Sequence, residues 1–288
     1  MRLVSWNIQW GRGIDGRVDL ARTVAVLQRF DAEVIALQEV AVHHEGLPGA
    51  PAGDQFAQLR ALMPGYEAVF AAGSDLPDGQ GGRRLFGQAV FARRPILQVF
   101  RHLLPWPVDV AVPSMPRVAL EAIIAAPSWP DEAMRLVTTH LEYYSPRQRA
   151  AQVEALRALH AEGWQHARQR RSAAESDTPF AVLPRGEALV LCGDCNFSPA
   201  MPEYQRLQAA FAGDQTGVPR LLDAWTIAHG EAPHVPTAGV HRASFTAGPE
   251  CFDFFFVGEN VAERVQDVRV DGVTDASDHQ PVMLELAD

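Results

Sequence analysis

The chain has 288 residues, with 47% hydrophobic and 21% charged residues, 3 cysteines and a formal net charge of -10. These values exclude a disordered chain and a disulfide scaffold, and no apolar stretch reaches the ~18 residues that a membrane helix needs. All 25 basic residues are arginine, so any basic contact to phosphate here is a planar guanidinium contact, while the acidic total disfavours broad binding along a nucleic-acid backbone.

The chain opens directly into an apolar run, residues 2–6, which ends on Asn7. It carries no signal-peptide pattern, so a cytoplasmic protein without stable membrane association is expected. Residues 18–30 read as an amphipathic helix with Leu20, Val24 and Leu27 on one face. A second apolar run, residues 34–38, ends on Glu39, where the strand is expected to leave the sheet at Val40. Residues 55–63 read as another helix, with Phe56, Leu59 and Leu62 inward. Strands are expected at residues 66–71, 85–92, 96–101, 118–125 and 134–140, the last ending on His140. Ser145 is a good N-cap, Pro146 suits a first helical turn and Gln148 completes an S-x-x-Q capping box. A long helix should follow, with Ala150, Val153, Leu156 and Leu159 inward. The run 188–193 ends on Asp194 and Asn196, and helical segments are expected near residues 203–211 and 221–228. Asp253 opens the run 254–257, and Asp278 and His279 precede the last one, 281–284.

Strand-rich segments with helices between them suggest an α/β fold, two layers of sheet covered by helices. No composition break marks a second domain, so one catalytic domain over residues 1–288 is expected. Long Gly- or Pro-rich loops at 43–54, 72–84, 172–187 and 229–242 are candidates for substrate selection.

Six runs thus begin or end on metal- or phosphate-competent side chains. In a sheet with antiparallel pairs the end of one strand lies beside the start of the next, so all six sites are expected along one sheet rim. Taken alone, each residue has an ordinary explanation: Asn and Asp terminate strands, a strand-end Glu is solvated, a buried His is hydrogen-bonded, and Asp253 protects a strand edge. Their recurrence at matched strand ends favours a site. A hard divalent cation takes oxygen ligands, which casts Glu39 as a direct carboxylate ligand, with an amide from Asn7 serving the metal or the phosphate. Asp194 suits a general base once a cation and a phosphate lower the cost of forming hydroxide. His279 would donate to a phosphoryl oxygen, Asp278 would ligate the metal or hold the histidine, and Asp253 would fix the tautomer of a rim histidine. Cys192 and Cys195 form a C-x-x-C, which keeps a redox reading open beside the enzyme one.

The segments Trp6-Asn7, Leu37-Gln38-Glu39-Val40, Gly87-Gln88-Ala89-Val90-Phe91, Thr139-His140-Leu141, Gly193-Asp194-Cys195-Asn196, Asp253 and Ser277-Asp278-His279 follow one another along nearly the whole chain. Together they resemble the endonuclease/exonuclease/phosphatase superfamily, the deoxyribonuclease-I-like fold. The resemblance implies a four-layer α/β sandwich, two packed, mostly antiparallel sheets flanked by helices. It also implies Mg²⁺- or Mn²⁺-dependent hydrolysis of a phosphoester, with nucleic acid among the substrates. Carried over, Glu39 would bind the metal with Asn7 and Asp278. Asp194 would orient or deprotonate water, Asn196 would hold that water or the phosphate, and His140 and His279 would stabilise phosphoryl charge. Asp253 would buttress His279, and Arg117 would stand near the phosphate. Gln9 stands where apurinic-site endonucleases place an acidic residue, and His140 is more similar to the phosphatase, sphingomyelinase and tyrosyl-DNA phosphodiesterase branches. The function expected is hydrolysis of a phosphodiester of the nuclease or DNA-end-processing type. A small phosphorylated metabolite or phospholipid is the alternative substrate, and a catalytically silent binding module is the non-enzyme alternative. Arg83, Arg84, Arg168, Arg170 and Arg171 offer a local basic surface for a nucleic acid.

Overall fold

Strands that are apolar on both faces need cover on both sides, and this chain supplies it by stacking two sheets and flanking the stack with helices. The computed structural model describes residues 1–49, 53–169, 178, 181, 183–241 and 248–288. Its strands are β1 (Arg2–Asn7), β2 (Val34–Val42), β3 (Glu67–Pro77), β4 (Arg83–Ala92), β5 (Ile96–Leu103) and β6 (Val118–Ala125). These are followed by β7 (Ala133–His140), β8 (Ala188–Asp194), β9 (Leu221–Asp223), β10 (Asp253–Gly258), β11 (Val265–Val270) and β12 (Val282–Leu286). The helices are α1 (Leu20–Gln28), α2 (Gln55–Leu62), α3 (Pro146–Arg168), α4 (Pro202–Gln208) and α5 (Ala224–His229).

One sheet runs β11-β12-β1-β2-β4-β3 and the other β5-β6-β7-β8-β10-β9. Neighbours are antiparallel except at the centre of each sheet, where β1 pairs β2 and β7 pairs β8 in parallel. Leu3, Val34 and Val90 of the first sheet share one buried cluster with Leu136, Val190 and Phe255 of the second, which is the inter-sheet core. Alternate residues of the same strands face outward. Val4, Ile35 and Phe91 pack with Leu20, Val24 and Leu27 of α1 and Leu59 of α2. Val137, Leu191 and Phe256 pack with Val153 and Leu156 of α3 and Leu207 of α4. The four-layer sandwich is therefore observed, with mixed sheets in which antiparallel pairs predominate. Among the described residues no helix is long and apolar enough to cross a membrane.

Several expectations need correction. The six sites do not line one rim: Asn7 and Glu39 belong to the first sheet, whereas His140, Asp194 and Asp253 belong to the second. β2 does not leave the sheet at Val40 but continues to Val42, with its pairing to β4 shifted between Leu37 and Val40. Glu39 sits in that bulge at φ 60°. Residues 221–223 form a short strand pairing with β10, and the helix starts only at Ala224. Much of the expected 72–84 loop is hairpin, because β3 and β4 pair from Pro77 and Arg83 inward. In α3 Ser145 caps as expected, but the Gln148 side chain donates to the Pro107 carbonyl and the Ser114 hydroxyl instead of reaching back. Ala150 is exposed, and α3 buries Gln148, Arg149, Gln152, Arg157 and His160 beside its apolar residues. Within the basic surface, Arg83 pairs with Asp75, Arg84 donates to the Pro77 carbonyl and Arg168 lies beside Glu187. Arg170 and Arg171 lie outside the described residues, as do parts of the loops at 43–54, 172–187 and 229–242.

Candidate active site

Register brings the polar strand ends together. Asn7 stands opposite Gln38 on β2, while on the second sheet Asp194 has His140 of β7 on one side and Asp253 of β10 on the other. The two rims meet through Asn7, whose Nδ2 donates to Glu39 Oε1 and to Asp194 Oδ2, each at 3.0 Å. Its Oδ1 accepts from the Gln9 amide at 3.0 Å. In this orientation Asn7 presents N–H groups to the two carboxylates, and it would have to turn its amide over to ligate a cation through oxygen.

Asp194 is 1% exposed and doubly held, because the Asn196 amide donates to its Oδ1 at 3.0 Å. Asn196 is fixed in turn by donating Nδ2 to the Leu141 carbonyl at 2.9 Å. His140 Nε2 lies 3.4 Å and His279 Nε2 3.6 Å from Asp194 Oδ2, and His140 Nδ1 lies 3.7 Å from Glu39 Oε1. His279 Nδ1 is 2.8 Å from Asp253 Oδ2, which also accepts from Thr237 Oγ1 at 2.7 Å. Ser277, just before β12, donates to the Asn7 carbonyl at the end of β1 in the same sheet, and Gln9 Nε2 donates to Asp278 Oδ2.

Burial and like charge set the protonation of this cluster. Burial, reinforced by the neighbouring Asp278 charge, pushes the Glu39 carboxyl up to about 7. Burial pushes Asp194 up to about 6 although the His279 charge and the Asn7 bond oppose it. Asp278 is raised by burial as well. Burial also disfavours a charged His279, but Asp253, Asp194 and Asp278 outweigh it and hold the imidazole well above its ordinary value. His140 goes the other way, since burial and the charges of Arg117 and His279 keep it neutral. Two histidines of one cavity are thus assigned opposite charge states. Crowded oxygen donors of this kind fit a hard divalent cation, because a bound cation offsets the burial that raises Glu39 and Asp278 and the like charge that adds to it. Asp194, Asp253 and His279 also bring ligand atoms within 4.8 Å of one another, but Nδ1 of His279 is engaged by Asp253, so that trio is better suited to proton handling.

Glu39, His140, Asp194, Asn196, Asp278 and His279 line a cavity of about 520 Å³ that also includes Arg117. Arg117 donates Nε to Glu142 Oε2 at 3.4 Å, and its buried Nη1 has no hydrogen-bond partner among the described residues. Glu142 is fully buried, and its other oxygen accepts from the Tyr144 amide at 2.9 Å. Glu142 and Thr237 are site residues that the sequence did not assign, and Gln9 was noted there only as a departure from the apurinic-site endonucleases. Glu142 had a signal in the segment it shares with His140, whereas Thr237 had none. The structure argues against the redox reading: Cys192 packs in the inter-sheet core and Cys195 in the layer beneath α3, on opposite faces of the sheet. Burial raises both thiols, Cys192 to about 12.

The profile of the endonuclease/exonuclease/phosphatase family matches residues 4–279. Among solved structures, an endonuclease/exonuclease/phosphatase from Beutenbergia cavernae superposes with a TM-score of 0.64 at 21% identity, covering 100% of this chain and 72% of that one. The mannosyl-6-phosphatase of Bacteroides thetaiotaomicron gives 0.65 at 17% identity, with 100% of both chains covered. The 3′ phosphatase NExo from Neisseria, bound to a product DNA hairpin, gives 0.61 at 20% identity over 100% of both chains. No protein of curated function matches the sequence.

Proposed function

Because the chain belongs to the endonuclease/exonuclease/phosphatase family, and is therefore a phosphoric ester hydrolase, we propose that residues 1–288 form one divalent-metal-dependent domain that cleaves a phosphodiester by water attack. The observation that carries this reading is the convergence of Glu39, Asp278, Asp194, His140 and His279 on one cavity, with Asn7 bonded to both Glu39 and Asp194.

Glu39 and Asp278, with Asn7 beside them, would hold Mg²⁺ or Mn²⁺, which supplies charge neutralisation at the phosphoryl oxygens. Asp194 accepts the proton of the attacking water at Oδ2, while its Oδ1 stays pinned by the Asn196 amide. A carboxyl near 6 is a better base than an ordinary aspartate and is still ionised at neutral pH. His279, kept protonated by Asp253, donates from Nε2 to a phosphoryl oxygen as negative charge grows there. Neutral His140 supplies one N–H to the same charge, and the unpaired Nη1 of Arg117 binds a non-bridging oxygen. Fixed donors aimed at developing charge are the main source of acceleration in phosphoryl transfer.

A nuclease or DNA-end-processing substrate was the first expectation. A small phosphoester is favoured by the pairing of Arg83 and Arg168 with carboxylates and by the net charge of -10. Hydrolysis of bis(p-nitrophenyl) phosphate with Mg²⁺, Mn²⁺ or EDTA tests the reading. Turnover restored by either cation and abolished by EDTA is expected. Equal rates with and without EDTA, or no hydrolysis of any phosphoester, would refute it.

A further inference from the structure

The charged groups occupy only part of the cavity, and beside Glu39 its wall is apolar and aromatic: Trp10, His44, Leu47 and Phe86. This wall is built in advance of any ligand. Phe86 stands on β4 opposite Ala41, two residues beyond Glu39 on β2. The Trp10 ring meets Phe86 at 6.3 Å with a 55° tilt, and His44 meets Phe86 edge-on at 5.9 Å. Trp10 is locked at both ends, since its Nε1 donates to the Pro48 carbonyl and its own carbonyl accepts from Gln55 Nε2. Its backbone is strained: Gln9 and Trp10 are consecutive non-glycine residues at φ 44° and 45°. Such conformations cost free energy and persist where the surrounding structure imposes them, often at functional sites. The same short segment ties the wall to the charged end, because Gln9 bonds both Asn7 and Asp278.

One polar atom of this wall is unmatched. His44 Nε2 is buried and makes no hydrogen bond among the described residues. A buried polar atom without a partner is costly unless something that binds there satisfies it. Burial, together with the charge of Arg84, lowers the His44 pKa and keeps the ring neutral, so it can offer one donor or one acceptor nitrogen at neutral pH. Flat aromatic faces with a single hydrogen-bonding nitrogen, next to a phosphate-competent cluster, specify a ligand with a planar ring bearing heteroatoms close to its phosphate.

We propose that Trp10, Phe86 and His44 form a nucleobase subsite and that the substrate of this site is a small nucleoside phosphoester. The inference rests on the phosphoesterase reading for the role of the charged end. The base packs against Trp10 and Phe86, a ring heteroatom or exocyclic group pairs with His44 Nε2, and the phosphoryl group lies at Asp194 and His279. Sugar and inositol phosphates lack the planar face, and an aryl phosphate has the face without the heteroatom for His44.

Affinities of AMP, phenyl phosphate and ribose 5-phosphate, measured with Mg²⁺ by calorimetry and by quenching of tryptophan fluorescence, test the proposal on the unaltered protein. AMP should bind at least about tenfold more tightly than ribose 5-phosphate, as one base stacked on aromatic side chains implies, with phenyl phosphate between them. Phe86→Leu should erase the advantage of AMP while leaving ribose 5-phosphate binding unchanged. His44→Phe should bring AMP down toward phenyl phosphate. Affinities within twofold for all three ligands, or an equal loss for all three in Phe86→Leu, would overturn the subsite. Retained AMP preference in a protein that hydrolyses no phosphoester would instead overturn the phosphoesterase reading alone.

Discussion

Asp194 combines two properties that seldom coexist: it is buried and raised to about 6, yet both of its oxygens receive donors, from Asn7 and from the Asn196 amide. The donors fix its direction, and burial gives it basicity. Asp194→Asn keeps the shape and removes the proposed base, so kcat should fall by about 10²–10⁴ with an unchanged circular dichroism spectrum. His279→Ala should lower kcat by a similar factor, and near-normal turnover in both variants would refute their roles. Glu39 gives a stability prediction. Its carboxyl binds a proton more tightly when folded, at about 7, than at its ordinary value of 4.5. The metal-free fold therefore loses stability as pH climbs through that window and loses no more above it. In EDTA, the stability advantage of Glu39→Gln should grow from pH 4.5 to 7, by at most about 1.4 kcal/mol per pH unit, and then level off. A difference that stays flat across the window would show that Glu39 is not perturbed. At this scale the sequence was informative wherever a polar residue ended an apolar run, as with Asn7, His140 and Asp194. It was silent on Thr237, whose hydroxyl reaches Asp253 from a loop with no periodicity to place it.

At the level of elements, the bulge at Glu39 shows why strand ends were misjudged. Two residues of β2 slip out of register with β4, so the carboxylate turns into the site while the strand runs on to Val42. β8 uses a different device. Gly193 has φ 136°, and a Cβ there would stand 1.9 Å from the Thr139 carbonyl of β7. Gly193→Ala must push β8 away from β7 one residue before Asp194, so it should lower the melting temperature markedly and reduce activity with it; a variant of wild-type Tm would contradict this close approach. α3 was legible at its start and not along its face. Arg149 reaches Glu203 and the carbonyls of Glu142 and Tyr143, and Arg157 holds the Leu207 and Ala209 carbonyls. A helix that buries arginines and glutamines to hold loop carbonyls defeats any search for an apolar stripe. Its cap remains simple: Ser145→Ala should cost about 1 kcal/mol in denaturant unfolding, since Gln148 loses its hydroxyl acceptor.

For the whole molecule, the two-sheet architecture was readable because central strands covered on both faces are continuous apolar runs, and β6 was placed without error at 118–125. Which strand ends would face each other was not readable, because that depends on how the two sheets stack. Charge acts at this scale as well. With a net charge of -10 and exposed arginines such as Arg83 and Arg220 paired with carboxylates, the molecule repels anions at long range. Raising monovalent salt from about 10 to 150 mM should therefore increase kcat/KM for an anionic phosphodiester at fixed Mg²⁺, about two- to threefold. A fall of the kind seen when basic proteins grip a phosphate backbone would show that a cationic path to the site exists.

The contacts that close the cavity are among the longest in the chain. Trp6 Nε1 bonds the His279 carbonyl across 273 positions, Ser277 bonds the Asn7 carbonyl across 270, and β12 completes its sheet by pairing with β1. During synthesis, β1 must wait with an unpaired edge until β12 has emerged, and non-local closures of this kind are slow. A ribosome-bound fragment ending before Ser277 lacks His279 and the contacts that tie β12 to β1, so the cavity is completed only once that distant segment has been made.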